Sequence, residues 1–465
     1  MSQSAEVQVS IAPADLVDRT AAIPDAFAGL DLPLADVTRV IGDSNGLNPQ
    51  FANLLKNLTM YATNGHMRVR IGNDTLAWTG PKAPHKDRIP ALALLARQFN
   101  ISYLLGVDFK SGDLEATRRA MAALSDAASG LPAKSIEAWE LGNEADLYPA
   151  ATQPAGNWNT GQYASRFASY TAAVGKVAAP VWAGTRGPFF AAGHADGIDP
   201  LDGFVARNAA GIGMVDMHQY YGSNCHGASL APGDLLKPAA AAKAQAAFRQ
   251  HIAVAHAHQL PFILSEWNSA SCGGISGVSD TFESALWTLD GLFEWLDAGL
   301  DGVTITTGNG LPYSPWHFTA ASSGTKVSVA PIYYGLRMFL QATQDSAKRT
   351  GIALSNRNHR NIKAWATIDA RRIVRLVLIN KDTSFTGAVE VSLPAYAAPR
   401  AYPLTASNYR ATSGLKYAGQ TFDNSADGNP AGPLDAPVLA ASAAGHYRFD
   451  FGGVGAVLLE FRPSP

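Results

Sequence analysis

Two periodicities divide the chain. Between residues 27 and about 342, short apolar runs alternate with segments whose apolar residues recur every three or four positions, the rhythm of strands each followed by an amphipathic helix. Strands are expected at 27–32, 66–71, 101–107, 136–141, 181–184, 214–217, 261–266 and 302–306. Helix signals fall between them. Asn48 caps a segment that begins with Pro49, and its stripe is Phe51, Leu54, Leu55 and Leu58; Asp113 caps another, running to about 129. Further helices are expected at 89–99, 161–177, 238–258, 281–296 and 332–342. Eight strand–helix units without an internal sequence repeat fit a (β/α)8 barrel. After about Asp345 the period drops to two, at 362–367, 373–379, 388–393 and 454–461, with turn residues such as Asn380, Gly387 and Pro394 between the runs. Residues 6–11 alternate in the same way and cannot stand alone. The expected fold is therefore α/β: a TIM barrel over 15–344, with a smaller antiparallel β-sandwich built from 1–14 and 345–465.

Composition narrows the function classes. Hydrophobic residues make up 47% of the 465, enough for two large cores, and the net charge of −2 gives no global field to draw a polyanion such as nucleic acid. No run approaches the ~20 apolar residues of a membrane span. The first residues lack the basic and apolar regions of a signal peptide. Location is read as secreted or periplasmic after loss of a signal, with a cytoplasmic site open. No Cys/His set has zinc spacing, so neither metal nor other cofactor is expected. Cys225 and Cys272 follow candidate strands six and seven on the same face, so a disulfide is expected; the alternative is two unrelated buried thiols.

Candidate chemistry sits where two strands end. The fourth expected strand ends in Leu141-Gly142-Asn143-Glu144 and the seventh in Ser265-Glu266. Barrel sites form at the C-terminal ends of strands. A retaining glycosidase needs one carboxylic acid for the leaving oxygen and one carboxylate to attack the anomeric carbon, with an Asn able to bind the sugar 2-hydroxyl. Glu144 is read as the acid/base, Glu266 as the nucleophile and Asn143 as the 2-hydroxyl ligand. Glu140 is the rival acid, on the same face but deeper; Glu137 should face the helices. Arg70 reads as a buried support for Glu266, because an Arg inside a barrel must be paired. His218 reads as an orienting group for the nucleophile, or else a satisfied core histidine. Asp31, Asp74 and Thr75 are candidates for distal sugar hydroxyls, with loop capping the alternative. Trp78, Trp158 and Trp316 could stack on sugar or simply pack. The segment 82–88 with Lys110 and Arg186 could form the basic rim a sulfated chain needs, or be scattered surface charge.

The pairing of Leu-Gly-Asn-Glu with Ser-Glu-Trp-Asn resembles barrel glycoside hydrolases carrying acid and nucleophile on strands four and seven. Within them the chain resembles glycoside hydrolase family 79, the heparanases and β-glucuronidases. The resemblance rests on Arg70-Ile71-Gly72-Asn73, His218-Gln219-Tyr220-Tyr221, Tyr313 and Pro331 to Leu336, and it covers nearly the whole chain. It implies that Tyr220 hydrogen-bonds the nucleophile. It also implies that the loop 308–313, through backbone N–H groups including Gly310 and the Tyr313 hydroxyl, receives a glucuronate carboxylate. The family often has Tyr five residues after the nucleophile, where this chain has Ser271.

The expected function is a retaining β-glucuronidase of heparanase type, a monomer acting endo on heparan sulfate. Exo release of glucuronic acid, an arabinofuranosidase or β-xylosidase activity, and a non-catalytic carbohydrate-binding barrel are the alternatives.

Overall fold

A computed structural model describes the chain except residues 1–5, 17–20, 63–64, 73–77, 79–86, 127, 149–159, 176, 179–199, 322–323 and 465. Eight parallel strands close into a barrel, the last pairing with the first: Ala28–Pro33, Met67–Gly72, Ile101–Val107, Ile136–Leu141, Val177–Ala178, Ile212–Ser223, Phe262–Ser271 and Gly302–Thr306. They are called the first to eighth barrel strands below. Helices Pro49–Thr59, Arg88–Gln98, Leu114–Ser125, Thr160–Val174, Pro200–Asn208, Ala239–Ala257, Phe282–Ala298 and Pro331–Thr343 connect and close them. The caps act as the sequence suggests: the Asn48 side chain accepts from Gln50 N at 3.1 Å and Asp113 from Ala116 N at 2.9 Å.

Several boundaries differ from expectation, each for a local reason. The third helix stops at Ser125, not 129, because the Asp126 carboxylate takes the N–H groups of Ala128 (3.0 Å) and Ser129 (2.7 Å) into a turn. The fourth helix ends at Val174, where Gly175 turns left-handed (φ 81°), so Val177 belongs to the fifth strand and not to the helix. The run expected as that strand, 181–184, lies outside the described residues. The sixth and seventh strands are longer than their apolar runs, staying paired out to Ser223 and Ser271. His218 to Tyr221 and Trp267 to Ser271 thus belong to the strands as well. Two hairpins occupy segments read as loops, Gly42–Asp43 with Gly46–Leu47 and Trp316–Ala321 with Gly324–Val329. In the second, Trp316 and Phe318 pack on Phe51 of the first helix, at 5.5 and 6.5 Å between rings.

Two further sheets carry the rest. One has five strands in the order Ala353–Asn356, Val7–Ser10, Ala388–Ser392, His446–Asp450, Ala441–Ala443. The other has six: Lys348–Arg349, Ile362–Ile368, Val374–Asn380, Gly455–Phe461, Arg400–Thr405, Lys416–Tyr417. The N-terminal strand does join the C-terminal region, but only Ala353–Asn356 pairs with it antiparallel; Ala388–Ser392 runs parallel to it. Val7, Val9, Val389, Val391, Leu376 and Leu459 meet in the core between the sheets. The six-stranded sheet docks on the helix Phe282–Ala298, where buried Asp290 pairs with Lys381 and accepts from Trp365 Nε1 at 2.9 Å.

Within the barrel, Leu104, Ala138, Met214 and Ile263 form an apolar plug. Inward positions alternate from there, which places Arg70, Glu140, Asp216, His218 and Tyr220 in layers above it. By strict alternation Ile263 and Ser265 would face inward and Glu266 outward. A register shift between Leu264 and Glu266 reverses this: Leu264 pairs with Met217, but Glu266 pairs with His218. One irregularity thus aims Glu266 into the barrel and sends Trp267 outward onto Trp287 (ring centroids 4.3 Å apart).

Candidate active site

Arg70, fully buried on the second strand, organises the floor of the site. Its Nε and Nη2 donate to the two Glu140 oxygens, both at 2.7 Å. Nη1 donates to Asp31 Oδ1 (3.0 Å) and Glu266 Oε1 (2.8 Å), and Nη2 also to Asn143 Oδ1 (2.7 Å). All five guanidinium donors are therefore used, so Arg70 fixes residues from strands one, four and seven at once. Gly72 makes the space: a Cβ there would stand 2.3 Å from the guanidinium carbon.

Two buried carboxyls, Asp31 and Glu140, and the partly buried Glu266 share one cation and cannot all ionise easily. Burial, then the charge of Glu266, pushes the Asp31 carboxyl well above its ordinary range despite Arg70. Burial likewise raises Glu140, while Arg70 is held firmly charged because Glu140, Asp31 and Glu266 outweigh the effect of burial. Asp216 was not anticipated from sequence. It is fully buried, and burial with the neighbouring Glu140 charge drives its pKa strongly upward against the opposing effects of Arg70 and the Ser265 hydroxyl. Its parity with His218 and Tyr220 on the sixth strand was the available signal. It is held as the neutral acid.

Above the floor stand the two mouth carboxylates. Glu266 Oε2 accepts from the Tyr220 hydroxyl at 2.6 Å, and that hydroxyl also lies 3.2 Å from Thr306 Oγ1. Glu144 follows Gly142 (φ 85°) and is itself left-handed (φ 44°), a backbone costing about 1 kcal/mol or more in a residue with a Cβ. A Cβ on Gly142 would collide with the Tyr148 hydroxyl at 2.4 Å, and that hydroxyl accepts from Asn143 N at 3.2 Å. The turn thus sets both Asn143 and Glu144. His218 Nδ1 lies between the carboxylates, 2.9 Å from Glu144 Oε1 and 3.4 Å from Glu266 Oε2. Its nearer partner is Glu144, not the nucleophile candidate it was expected to orient. Burial pushes the imidazole down to about 3, so the ring is neutral; facing two carboxylates, Nδ1 carries the proton. One oxygen of each glutamate and the His218 nitrogen all lie within 4.8 Å of one another.

The other candidates fall into three groups. Asp31 does not reach out toward sugar: it is 3% exposed and bound to Arg70. Trp78 and Trp316 are packed, Trp78 Nε1 donating to Gly106 O at 2.8 Å. Glu137 binds Arg68 (2.6 Å) and Ser102 (2.7 Å) on the helix side. Asp74, Thr75, Trp158, Arg186 and residues 82–86 lie outside the described residues. Of the expected basic rim, Arg88 is buried and Lys110 sits over the Tyr148 ring, 5.3 Å from its centroid.

The loop 308–313 departs from the expected row of open backbone donors. Asn309 N donates to Asp36 Oδ2 at 2.8 Å and Leu311 N to Gly308 O at 2.9 Å. Gly310 N reaches His317 Nδ1 at 3.3 Å and Tyr313 N reaches Gly273 O at 3.4 Å, both long. The Tyr313 hydroxyl has no hydrogen-bond partner among the described residues. Burial, and then the Glu266 charge, raise its pKa far above neutrality, so it remains a donor. The Cys225–Cys272 disulfide forms, joining the ends of strands six and seven.

No family model and no curated protein matches the chain. Among solved structures, it superposes on a 4-O-α-L-rhamnosyl-β-D-glucuronidase from Fusarium oxysporum with a TM-score of 0.73 at 19% identity, over 97% of this chain and 99% of that one. A family 51 α-L-arabinofuranosidase from Bifidobacterium longum gives 0.69 at 14% identity, over 99% and 100%. A bifunctional glucanase-xylanase, CelM2, from a metagenome library gives 0.64 at 12%, over 99% and 100%. The barrel with its β-sandwich is the fold of these glycoside hydrolases.

Proposed function

We propose that the protein is a retaining glycoside hydrolase acting on β-glucuronides. The observation that carries this reading is the approach of Glu144 and Glu266 oxygens to within 4.8 Å. Retaining enzymes hold their carboxyls ~5–5.5 Å apart, and inverting ones leave ~6.5–9.5 Å for a water. Glu266, positioned by Arg70 and Tyr220, attacks the anomeric carbon while Glu144 protonates the leaving oxygen; Glu144 then takes a proton from the water that hydrolyses the glycosyl-enzyme. Neutral His218 donates to Glu144 in its base form, favouring return of the carboxylate. Asn143, its amide oxygen fixed on Arg70, directs its nitrogen end to the 2-hydroxyl.

Glucuronide preference is supported by the Tyr313 hydroxyl, by two weakly held N–H groups that a carboxylate could recruit, and by the name of the Fusarium neighbour. The proposal is kept to the β-glucuronide: Lys82, His85, Lys86 and Arg186 of the expected basic rim lie outside the described residues, and endo action has no supporting observation among the described residues. The disulfide agrees with an oxidising compartment, secreted or periplasmic. The acid assignment is tested with Glu144→Ala. Hydrolysis of 4-nitrophenyl β-D-glucuronide, whose phenolate needs little protonation, should fall far less than that of an alkyl β-glucuronide. Equal losses on both would remove Glu144 from the acid role.

A further inference from the structure

We propose that the Cys225–Cys272 bridge is a clamp on Tyr313 and so sets the preference for an acidic sugar; this rests on the β-glucuronidase reading above. Strands six and seven pair out to Ser223 and Ser271, with Asn224 N still donating to Ser271 O at 3.1 Å. The bridge joins them two residues after Ser223 and one residue after Ser271. Behind it, Cys272, Gly273 and Gly274 run through three consecutive left-handed conformations, φ 57°, 92° and 84°. Cys272 has a Cβ and disfavours that backbone, so something must hold it there. The disulfide does so from one side, and Asn224 from the other, its Nδ2 donating to Gly274 O at 3.0 Å.

The turn so formed is the bed on which Tyr313 lies. Tyr313 N donates to Gly273 O at 3.4 Å, and a Cβ on Gly274 would stand 2.8 Å from Tyr313 N and 2.9 Å from its Cβ. Gly274 is therefore a surface of close approach, with no slack between the turn and the tyrosine. On its other side, Tyr313 O accepts from Asn268 Nδ2 at 3.1 Å. The route from the bridge to the tyrosine is thus continuous, through Cys272, Gly273 and Gly274. Glu266 takes no part in it: Arg70 and Tyr220 hold that carboxylate from strands two and six. Opening the bridge relaxes the turn and frees Tyr313 while leaving the reacting carboxylates in place. Both cysteines are exposed, so the clamp is open to reductant in the folded protein.

The test compares native protein, Cys225→Ser/Cys272→Ser, and native protein treated with excess dithiothreitol. The reagent passes two electrons and two protons to the bridge, giving two thiols, and closes to its own cyclic disulfide. Two quantities are read: steady-state constants on 4-nitrophenyl β-D-glucuronide and β-D-glucoside, and amide hydrogen exchange across 308–314. With the bridge open, KM for the glucuronide should rise roughly threefold to tenfold, the scale of one displaced hydrogen bond. Its kcat and both glucoside constants should hold, and exchange at 308–314 should quicken. Unchanged exchange in that segment, or equal loss on the two sugars, overturns the clamp. A native enzyme that does not prefer the glucuronide overturns the functional reading instead, and the exchange result still decides the clamp.

Discussion

The floor of the site and the loop above it are built on opposite plans. At the floor, Arg70 spends every donor on residues from three other positions in the barrel, in a buried interior where each bond restrains the next. The loop 308–313 is anchored chiefly through Asn309, whereas the N–H groups of Gly310 and Tyr313 make only long contacts of 3.3 and 3.4 Å, and it carries exposed Leu311 at its tip. Chemistry needs carboxylates fixed to a fraction of an ångström, whereas selection of one sugar over its neutral analogue needs only a donor or two in reach.

Breaking the floor should therefore cost far more than altering the loop. Arg70→Ala leaves Asp31, Glu140 and Glu266 without their shared cation. It should lower stability by about 3–5 kcal/mol, as removal of one partner from a buried ion cluster does. Activity should fall with it on every substrate, read as a drop in Tm and in kcat; a variant with native Tm would show the cluster to be dispensable. Tyr313→Phe should do less and do it selectively. The glucuronide-to-glucoside ratio of kcat/KM should fall by up to about tenfold with Tm unchanged, and a constant ratio takes Tyr313 out of carboxylate recognition.

The smallest effect sharpens the floor itself. The folded-state pKa of Asp216 is raised by burial and the Glu140 charge, whereas in the unfolded chain it ionises near the ordinary ~3.9. Its contribution to stability is therefore complete below that pH and is lost as pH rises toward the folded value. Asp216→Asn cannot ionise, so the variant should gain on the native protein in unfolding titrations run from about pH 4 upward. A variant that loses ground as pH rises would mean that Asp216 is charged in the fold.

What could be read from the sequence follows the same division. Strands three, four and eight were bounded correctly, and Asn48 and Asp113 marked their helices, because apolar period and capping chemistry are local. Glu144 and Glu266 stood out because each closes an apolar strand. Local signals failed where a partner strand decides the outcome. The sixth and seventh strands extend through His218, Tyr220 and Asn268 only because they pair with each other, and the inward aim of Glu266 depends on a register shift invisible in either strand alone. Asp216 reads as one acidic residue in an apolar run until the barrel closes around it. The surroundings of the loop donors were hidden for a related reason: Asp36, which takes the N–H of Asn309, and His317, 3.3 Å from the N of Gly310, lie apart from them in the sequence.

The central claim, that Glu266 attacks and Glu144 assists, is tested most directly by trapping. Incubation with a 2-deoxy-2-fluoro-β-D-glucuronyl fluoride, followed by digestion and mass spectrometry, should find one fluoroglucuronyl adduct per chain, on Glu266, with activity lost in step. An adduct on Glu144 or Glu140, or substrate turnover with release of the inverted sugar and no adduct at all, would contradict it.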